Sequence, residues 1–520
     1  MRKIFSLIVS AIILLTSCND IFESMDVPNE NQPNIDNLAT PDEFYSLLRN
    51  GYNTWYNGAI AASPAMGFAC AELFQCGTPS WGSGDMWFRP RQSLFNDDHP
   101  DPVVVINFGA WYNFYGSIGM AVKMSKMFEN PEFKIISEGK DYTNRAKAHT
   151  YIVKALLYGN IALLYDKAYL FTDEHEDPVS FDFVANTKGY KEVMDYAISQ
   201  LDEAIDILEK DSYEGEDPTF VLVGTTFDKI KLLQFANSMG ARFLVSNART
   251  QEENAQVDWA KVKNYAEKGL KEDFKVDYED GWRGKVMTRD YGQNWFGLHH
   301  SGWVRASQWL LNKMAPNDPA SVYPIPVEEG SDSFKDWPEI TNCPDARLAK
   351  YFRYESMRNW FGADRITRPG YGNYILSQYR YWKYYDVVNL GTGKVDHYLK
   401  MENDTYLAEA LLRTNGDKSK IAALINNTRV GIGGLPALTG REPYDELEEA
   451  LFYERYVECD MVWPHLGFFD RRRNKDQMIE GTVRHFPIPG PELKLHGQEL
   501  YTFGGVGKDC LLYTSDAADD

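Results

Sequence analysis

Apolar residues recur at helical spacing through most of this chain. The clearest stripe is Tyr190, Val193, Met194, Ala197, Ile198, Leu201, Ala204, Ile205 and Leu208, spaced to share one face of a single helix. Asn144 to Tyr165, Asp228 to Ala248 and Asp258 to Leu270 carry similar patterns. So, later, do Asp404 to Arg413, Lys418 to Val430 and Pro443 to Cys459. Thr40-Pro41-Asp42-Glu43 reads as a helix start, with Thr40 as N-cap, Pro41 at the first helical position and Glu43 closing a capping box. Short connections between such segments favour antiparallel helix pairs stacked as a tetratricopeptide-like array. No strict period of about 34 residues is visible, so any repeat is degenerate.

From about 275 to 400 the pattern changes. Gly, Pro, Trp and Tyr dominate, helical stripes vanish, and short extended pieces such as Tyr374-Ile375-Leu376 alternate with turns. The expected class is therefore mostly α, with a large irregular, aromatic-rich insertion. Loops carried on a rigid scaffold are where binding residues gather. The expected organisation is a signal peptide over 1–17, a lipidated tether over 18–39, a helical region over 40–274, the insertion over 275–400, a second helical region over 401–509 and an extraneous tail over 510–520.

The two ends carry their own signals. Arg2 and Lys3 form a charged start, Ile4 to Leu15 an apolar run, and Leu15-Thr16-Ser17-Cys18 resembles the lipobox of bacterial lipoproteins. The run is too short to span a bilayer, which takes ~20 apolar residues. Cys18 is the expected lipidation site, and several acyl chains there would give a durable anchor. An ordinary cleaved signal peptide with an incidental Cys18 is the alternative. Asp20, Glu23 and Asp26 resemble the acidic surface-export signal of Bacteroidetes lipoproteins. Cys510 to Asp520 looks like a translated sequencing-library adapter and is left out of fold reasoning; a genuine acidic tail is the other reading.

Charge narrows the partners. The chain has 54 basic and 75 acidic residues, a net of -21, which argues against nucleic acid. Aromatic residues make up 14%, more than core packing alone asks for. Cys70, Cys76, Cys343 and Cys459 form no disulfide framework; Cys70 and Cys76 are close enough in sequence to pair, but scattered cysteines are more often buried apolar residues.

Several motifs, in order, resemble those of the SusD/RagB family of outer-membrane nutrient-binding lipoproteins. Asn144-Arg145-Ala146-Lys147-Ala148 running into Ala155-Leu156-Leu157-Tyr158 resembles one family helix, and Leu201-Asp202-Glu203-Ala204-Ile205 another. Cys343-Pro344-Asp345-Ala346-Arg347 resembles the DPR turn, Tyr406-Leu407-Ala408-Glu409-Ala410 the AEA helix, and Asn427-Thr428-Arg429 the segment after it. Glu454-Arg455, Phe468-Phe469-Asp470-Arg471-Arg472 and Pro487-Ile488-Pro489 with Glu492 follow in the family's order. Leu466 and Gly467 depart from the family's lead-in to the second of these, and Lys400 stands where arginine is common. The resemblance implies a right-handed array of tetratricopeptide-like helix pairs. It also implies a non-enzymatic protein in the outer membrane, lipid-anchored and facing the cell exterior, that captures glycans for a SusC-type TonB-dependent transporter.

Sugar rings present C–H faces and hydroxyl edges, so such a surface needs exposed aromatic platforms flanked by polar groups. Two segments meet that description. Phe74 to Arg91 carries Trp81, Asp85 and Trp87 among glycines and serines. A second segment carries Asn294, Trp295, Trp303, Arg305 and Trp309. For any one of these tryptophans, partial burial as a packing residue is the competing reading. The run Tyr371 to Tyr385 reads instead as a strand with aromatics on both faces, wedged against the helices.

Catalysis finds little support. No His-Glu-x-x-His, Gly-x-Ser-x-Gly or phosphate-loop motif occurs, and His299-His300 is adjacent rather than spaced to converge on a metal. No cofactor is expected. Calcium is conceivable at Asp97-Asp98-His99-Pro100-Asp101 or Glu174-His175-Glu176-Asp177, where a solvated charged loop is the commoner outcome. A surface-anchored glycoside hydrolase, needing only two carboxylates, a peptide-capturing protein and a structural envelope protein remain the alternatives.

Overall fold

The computed structural model describes residues 40–63, 74–76, 106–175, 180–222, 225–278, 304–323, 337–355, 377–386, 393–459, 462, 466–474 and 484–501. Cys18 and the tail from Cys510 lie outside them. Among the described residues no helix is long and apolar enough to cross a membrane.

The first half is a succession of helices. Helix α1 (Pro41–Ser63) begins at the proline, which needs no hydrogen-bond acceptor there. Strand β1 (Phe74–Cys76) and helix α2 (Ile106–Met127) follow. A small hairpin, β2 (Ile136–Ser137) and β3 (Lys140–Asp141), leads into α3 (Thr143–Leu164). A second hairpin, β4 (Lys167–Tyr169) with β5 (Thr187–Gly189), separates α3 from α4 (Tyr190–Lys210). Then come α5 (Lys229–Ser246), the short α6 (Gln251–Ala255), α7 (Trp259–Lys268) and β6 (Phe274–Tyr278). Side-chain caps set the starts: Asp228 accepts from the Lys231 amide at 2.7 Å and Asp258 from the Lys261 amide at 2.9 Å.

The stripe on α4 is buried at Val193, Met194, Ala197, Ile198, Leu201, Ala204, Ile205 and Leu208, as its spacing requires. Helix α3 is different. All of it but Thr143, Asn144, Lys147 and Tyr151 is buried, so it runs through the interior of the array. Its polar residues are partnered rather than exposed. Arg145 donates to the carbonyls of Tyr213 (2.8 Å) and Gly215 (3.2 Å), and His149 bridges Tyr52 (2.8 Å) and Asp217 (3.1 Å). Glycine permits the close approach of neighbours: a Cβ on Gly159 would lie 2.3 Å from the Phe243 ring.

The helices pack as pairs, α1 with α2, α3 with α4, and α5 with α7, each pair stacking on the next. The second half adds β7 (Val304–Ala306), α8 (Gln308–Met314), α9 (Arg347–Tyr351), β8 (Phe352–Tyr354), β9 (Tyr379–Tyr381) and β10 (Gly393–Tyr398). Helices α10 (Lys400–Arg413) and α11 (Lys418–Arg429) form the fourth pair, and α10 packs directly on α7. Helix α12 (Tyr444–Glu454) runs into one π-helical turn, Arg455–Cys459, before α13 (Leu466–Arg473) and α14 (Gly490–Leu495). The chain has the mostly α architecture of stacked helix pairs that its periodicity implies.

Because α7 touches α10, the array continues past the insertion as if it were absent. The insertion leaves and returns through an antiparallel ladder, β6 against β10, with Val276 opposite Val395 and Phe274 opposite Tyr398. Two expectations need correcting here. The insertion is not free of helix, since Ser307 caps α8 by accepting from the Leu310 amide at 3.2 Å, and α9 follows further on. Helix α10 also starts at Lys400, a turn earlier than its apolar pattern indicates.

The residues of that extra turn are polar yet buried. Glu402 takes a two-point ion pair from Arg242 (2.6 and 2.7 Å), and Asn403 accepts from Ser238 (2.8 Å) and donates to the Ala266 carbonyl (2.9 Å). These contacts bolt α10 to α5 and α7 across the neck of the insertion. Charge-assisted bidentate pairs of this kind fix geometry as well as supply energy.

Candidate aromatic binding surface

The insertion is stitched to the first half of the chain by a second ladder. Strand β1 pairs antiparallel with β7, Phe74 opposite Ala306, Gln75 opposite Arg305 and Cys76 opposite Val304. The consequence is topological. The segment carrying Trp81, Asp85 and Trp87 leaves this ladder after Cys76, and the segment carrying Asn294, Trp295 and Trp303 enters it at Val304. Cys76 and Val304 are partners, so both segments are rooted at one end of a single ladder. Those six residues themselves lie outside the described residues, as does the loop Asp97 to Asp101.

Of the remaining candidates, Arg305 occupies the middle of β7. Trp309 sits on α8, half-buried, with the Arg471 guanidinium 4.7 Å from its ring centroid and the Tyr456 ring edge-on at 5.2 Å. Those contacts engage Trp309 in packing between α8 and the C-terminal helices. The second candidate calcium loop is described only at Glu174 and His175. Beside it, Lys154 holds Asp173 at 2.5 Å, and the Lys126 ammonium takes the His175 carbonyl at 2.5 Å. Among the described residues no group of three His, Cys, Asp or Glu side chains is placed to hold a metal ion.

Next to the ladder lies a second aromatic cluster. Ser377 donates to the Ala306 carbonyl at 2.6 Å, which ties β9 to β7. Strands β8 and β9 pair Phe352 with Tyr381, Arg353 with Arg380 and Tyr354 with Tyr379. Tyr379, Arg380 and Tyr381 are all buried, as expected for a strand covered on both faces. Tyr379 also accepts from the Ile340 amide at 2.7 Å, and Tyr384 donates to Asp396 at 2.7 Å, which pins this cluster to β10.

Immediately after β9 the burial relaxes. Trp382 and Tyr385 are half-buried and stacked, centroids 3.7 Å apart and planes 12° from parallel. The guanidinium of the exposed Arg353 lies 4.7 Å from the Trp382 centroid and that of Arg380 5.1 Å from it. Reading the whole run Tyr371 to Tyr385 as one strand wedged against the helices missed this half-buried end. The available signal was Arg353 and Trp382 themselves, polar and aromatic residues at the margins of three-residue strands.

The motif residues that carry the family resemblance lie elsewhere. Arg347 is fully buried between Asp345 (2.8 Å) and Glu454 (2.7 Å), and Thr428 donates to Glu454 at 2.6 Å. Arg455 reaches Asp470 (2.7 Å) and Glu409 (3.0 Å), and Tyr112 donates to Glu492 at 2.6 Å. Burial alone would lower the pKa of Arg347, but Glu454 and Asp345 more than reverse this and hold it above the ordinary arginine value. These residues fasten the scaffold.

Comparison with protein-family models and with curated proteins gives no match. Solved structures do match. A SusD superfamily protein from Parabacteroides distasonis superposes with a TM-score of 0.57 at 13% identity, over 88% of this chain and 98% of that one. A SusD superfamily protein from Bacteroides vulgatus gives 0.56 at 15% identity, over 88% and 97%. This chain has the SusD fold. A SusD-like carbohydrate binding protein, also from Bacteroides vulgatus, aligns at 0.51 and 14% identity, over 84% and 83%. At these identities the likeness speaks for the SusD scaffold of helix pairs.

Proposed function

We propose that this protein is a non-enzymatic, lipid-anchored glycan-binding protein of the outer membrane, facing the cell exterior, that captures oligosaccharides or polysaccharides and passes them to a SusC-type TonB-dependent transporter. The observation that supports the reading is the β1–β7 ladder, since both tryptophan-bearing segments adjoin the same end of that strand pair. A glycan chain spans several sugar units, which suits two aromatic segments that adjoin one ladder end better than a single segment. The SusD fold supports the same reading, since one solved structure with that fold is described as a carbohydrate binding protein. Anchoring at Cys18 and delivery to the transporter belong to this proposal.

The test is a titration of the purified protein against a panel of polysaccharides, with product analysis of the same samples. Stacking on an aromatic ring contributes on the order of 1 to 3 kcal/mol of apolar burial, roughly ten- to a hundredfold in affinity. Trp81→Ala or Trp303→Ala is therefore expected to weaken the bound glycan by about that factor, leaving the helical circular-dichroism signal unchanged. Wild-type affinity in both variants and in the double variant would remove these segments from the site. Release of shorter oligosaccharides would convert the protein into a glycoside hydrolase.

A further inference from the structure

We infer that Arg353, laid against the Trp382–Tyr385 stack, is a binding position for an acidic sugar, a hexuronate unit whose carboxylate pairs with the Arg353 guanidinium. The inference rests on the glycan-capture reading and adds a substrate class to it.

The local charge balance points there. The β8–β9 register sets Arg353 directly opposite Arg380, and Lys383 follows two residues after the strand pair. Like charges facing each other across a strand pair are destabilising unless something neutralises them. Arg380 is neutralised by an ion pair to Glu355, and Lys383 by Glu458 at 3.1 Å. Arg353 makes no ion pair among the described residues. On a chain with 75 acidic and 54 basic residues, this exposed arginine stands beside partnered cations with no carboxylate matched to it among the described residues.

The stack supplies the geometry. With its guanidinium 4.7 Å from the Trp382 ring, Arg353 has a preferred place to lie, so less side-chain freedom is lost when it engages a ligand. Tyr385, parallel to Trp382 at 3.7 Å, keeps that ring from turning. A planar guanidinium grips a carboxylate through two parallel N–H···O bonds, a match that a neutral hydroxymethyl group cannot make. The parts of the two half-buried rings that remain exposed offer apolar surface to the same sugar. The Ser377 hydrogen bond to Ala306 ties the strand pair that carries Arg353 to the β1–β7 ladder.

Calorimetry on the full chain tests this, using an oligogalacturonate and an oligoalginate, each beside its methyl ester. The wild type is expected to bind at least one acid form about tenfold more tightly than its ester, as one charge-assisted contact gives. Arg353→Gln should erase that preference without changing affinity for the ester, and Arg353→Lys should restore only part of it. Circular dichroism checks that each variant is folded. Equal affinity for acid and ester in the wild type, or a preference that survives Arg353→Gln, overturns the inference. Binding of neutral glycans without either uronate overturns it as well, while leaving glycan capture in place. Failure to bind any glycan in the wider panel would overturn both.

Discussion

Arg472 and Arg473 are neighbours on α13, equally buried, and they face opposite electrostatic worlds. Arg473 points into a carboxylate cluster, reaching Glu409 at 2.7 and 2.9 Å and Asp470 at 2.5 Å, with Arg455 sharing both acids. Arg472 points to the far side, where its partners are the carbonyls of Leu163 (3.0 Å), Ser246 (2.8 Å) and Arg484 (2.8 Å). Arg249 lies in that second region and donates to the carbonyls of Ala162 (2.8 Å) and Tyr165 (2.6 Å). Most of these oxygens belong to the last turns of α3 and α5. Helix C-termini carry partial negative charge and orphan carbonyls, so two buried arginines are accommodated there as caps, without a carboxylate on each.

The difference shows in their ionisation. Burial lowers the Arg473 pKa, but Glu409 and Asp470 outweigh it and raise the value above that of ordinary arginine. Burial also lowers Arg472, and Arg249 beside it pushes the same way, so its pKa falls well below the usual range. Full charges against full charges make a strongly coupled cluster. Partial charges against full ones make a weaker one, bought with helix geometry.

The largest expected effect breaks the first region. Arg473→Met leaves Glu409 and Asp470 buried with Arg455 between them and Arg413 on Glu409 at 3.2 Å, and stranding part of a buried ion network costs about 3–5 kcal/mol. Urea denaturation at neutral pH reads this directly. A loss below 1 kcal/mol would mean that the cluster relaxes or admits water. The second effect sharpens the contrast. Arg472→Met gives up three hydrogen bonds to carbonyls, but it also removes a desolvated cation from beside Arg249. The net cost should be about 2 kcal/mol, since hydrogen bonds to a charged donor are each worth ~1.5–3 kcal/mol before that relief. If Arg472→Met proves as damaging as Arg473→Met, helix ends are compensating charge as fully as carboxylates do.

The same division explains what could be read from the sequence. The stripe on α4 was legible because apolar spacing alone decides which face is buried. The first turn of α10 was not, because Glu402 and Asn403 look like surface residues until Arg242, 160 positions away, is brought against Glu402. Arg145, Arg347, Glu409, Glu454, Arg455 and Asp470 stood out through their motifs, and they prove to be the buried polar fasteners of the fold. They carry no information about ligand. The candidate site was only half legible. Composition located the tryptophan segments, but three-residue strands such as Phe74-Gln75-Cys76 are too short to show alternation, so the ladder that joins the two segments had no local signature. The run Tyr371 to Tyr385 reads as one aromatic strand, and nothing in its sequence separates the half-buried Trp382–Tyr385 stack from the buried Tyr379 and Tyr381.

Histidines between these regions give the smallest expected effect, one that depends on pH. His397, on β10, is enclosed by Trp55 (5.3 Å), Tyr56 (5.0 Å) and Phe274 (6.0 Å), and burial, assisted by Arg242, lowers its pKa to about 3. His485, behind Arg249 and Arg472, is shifted in the same direction by burial and by those arginines. In the unfolded chain both titrate near 6.5, so below that pH the unfolded state binds protons that the native state refuses. Their contribution to stability is complete above pH 6.5 and is lost as the pH falls from there toward the folded value, about 3 for His397. Between pH 7.5 and 5.5 His397 should subtract about 1.4 kcal/mol, and His485 acts in the same direction. His397→Phe keeps an aromatic ring in the site and cannot take up the proton. Its stability should therefore fall less than that of the wild type across this interval, by about that amount, in denaturant titrations at the two pH values. Parallel pH profiles for variant and wild type would show that His397 gains a proton in the native state as readily as in the unfolded one, and that its aromatic enclosure is open to water.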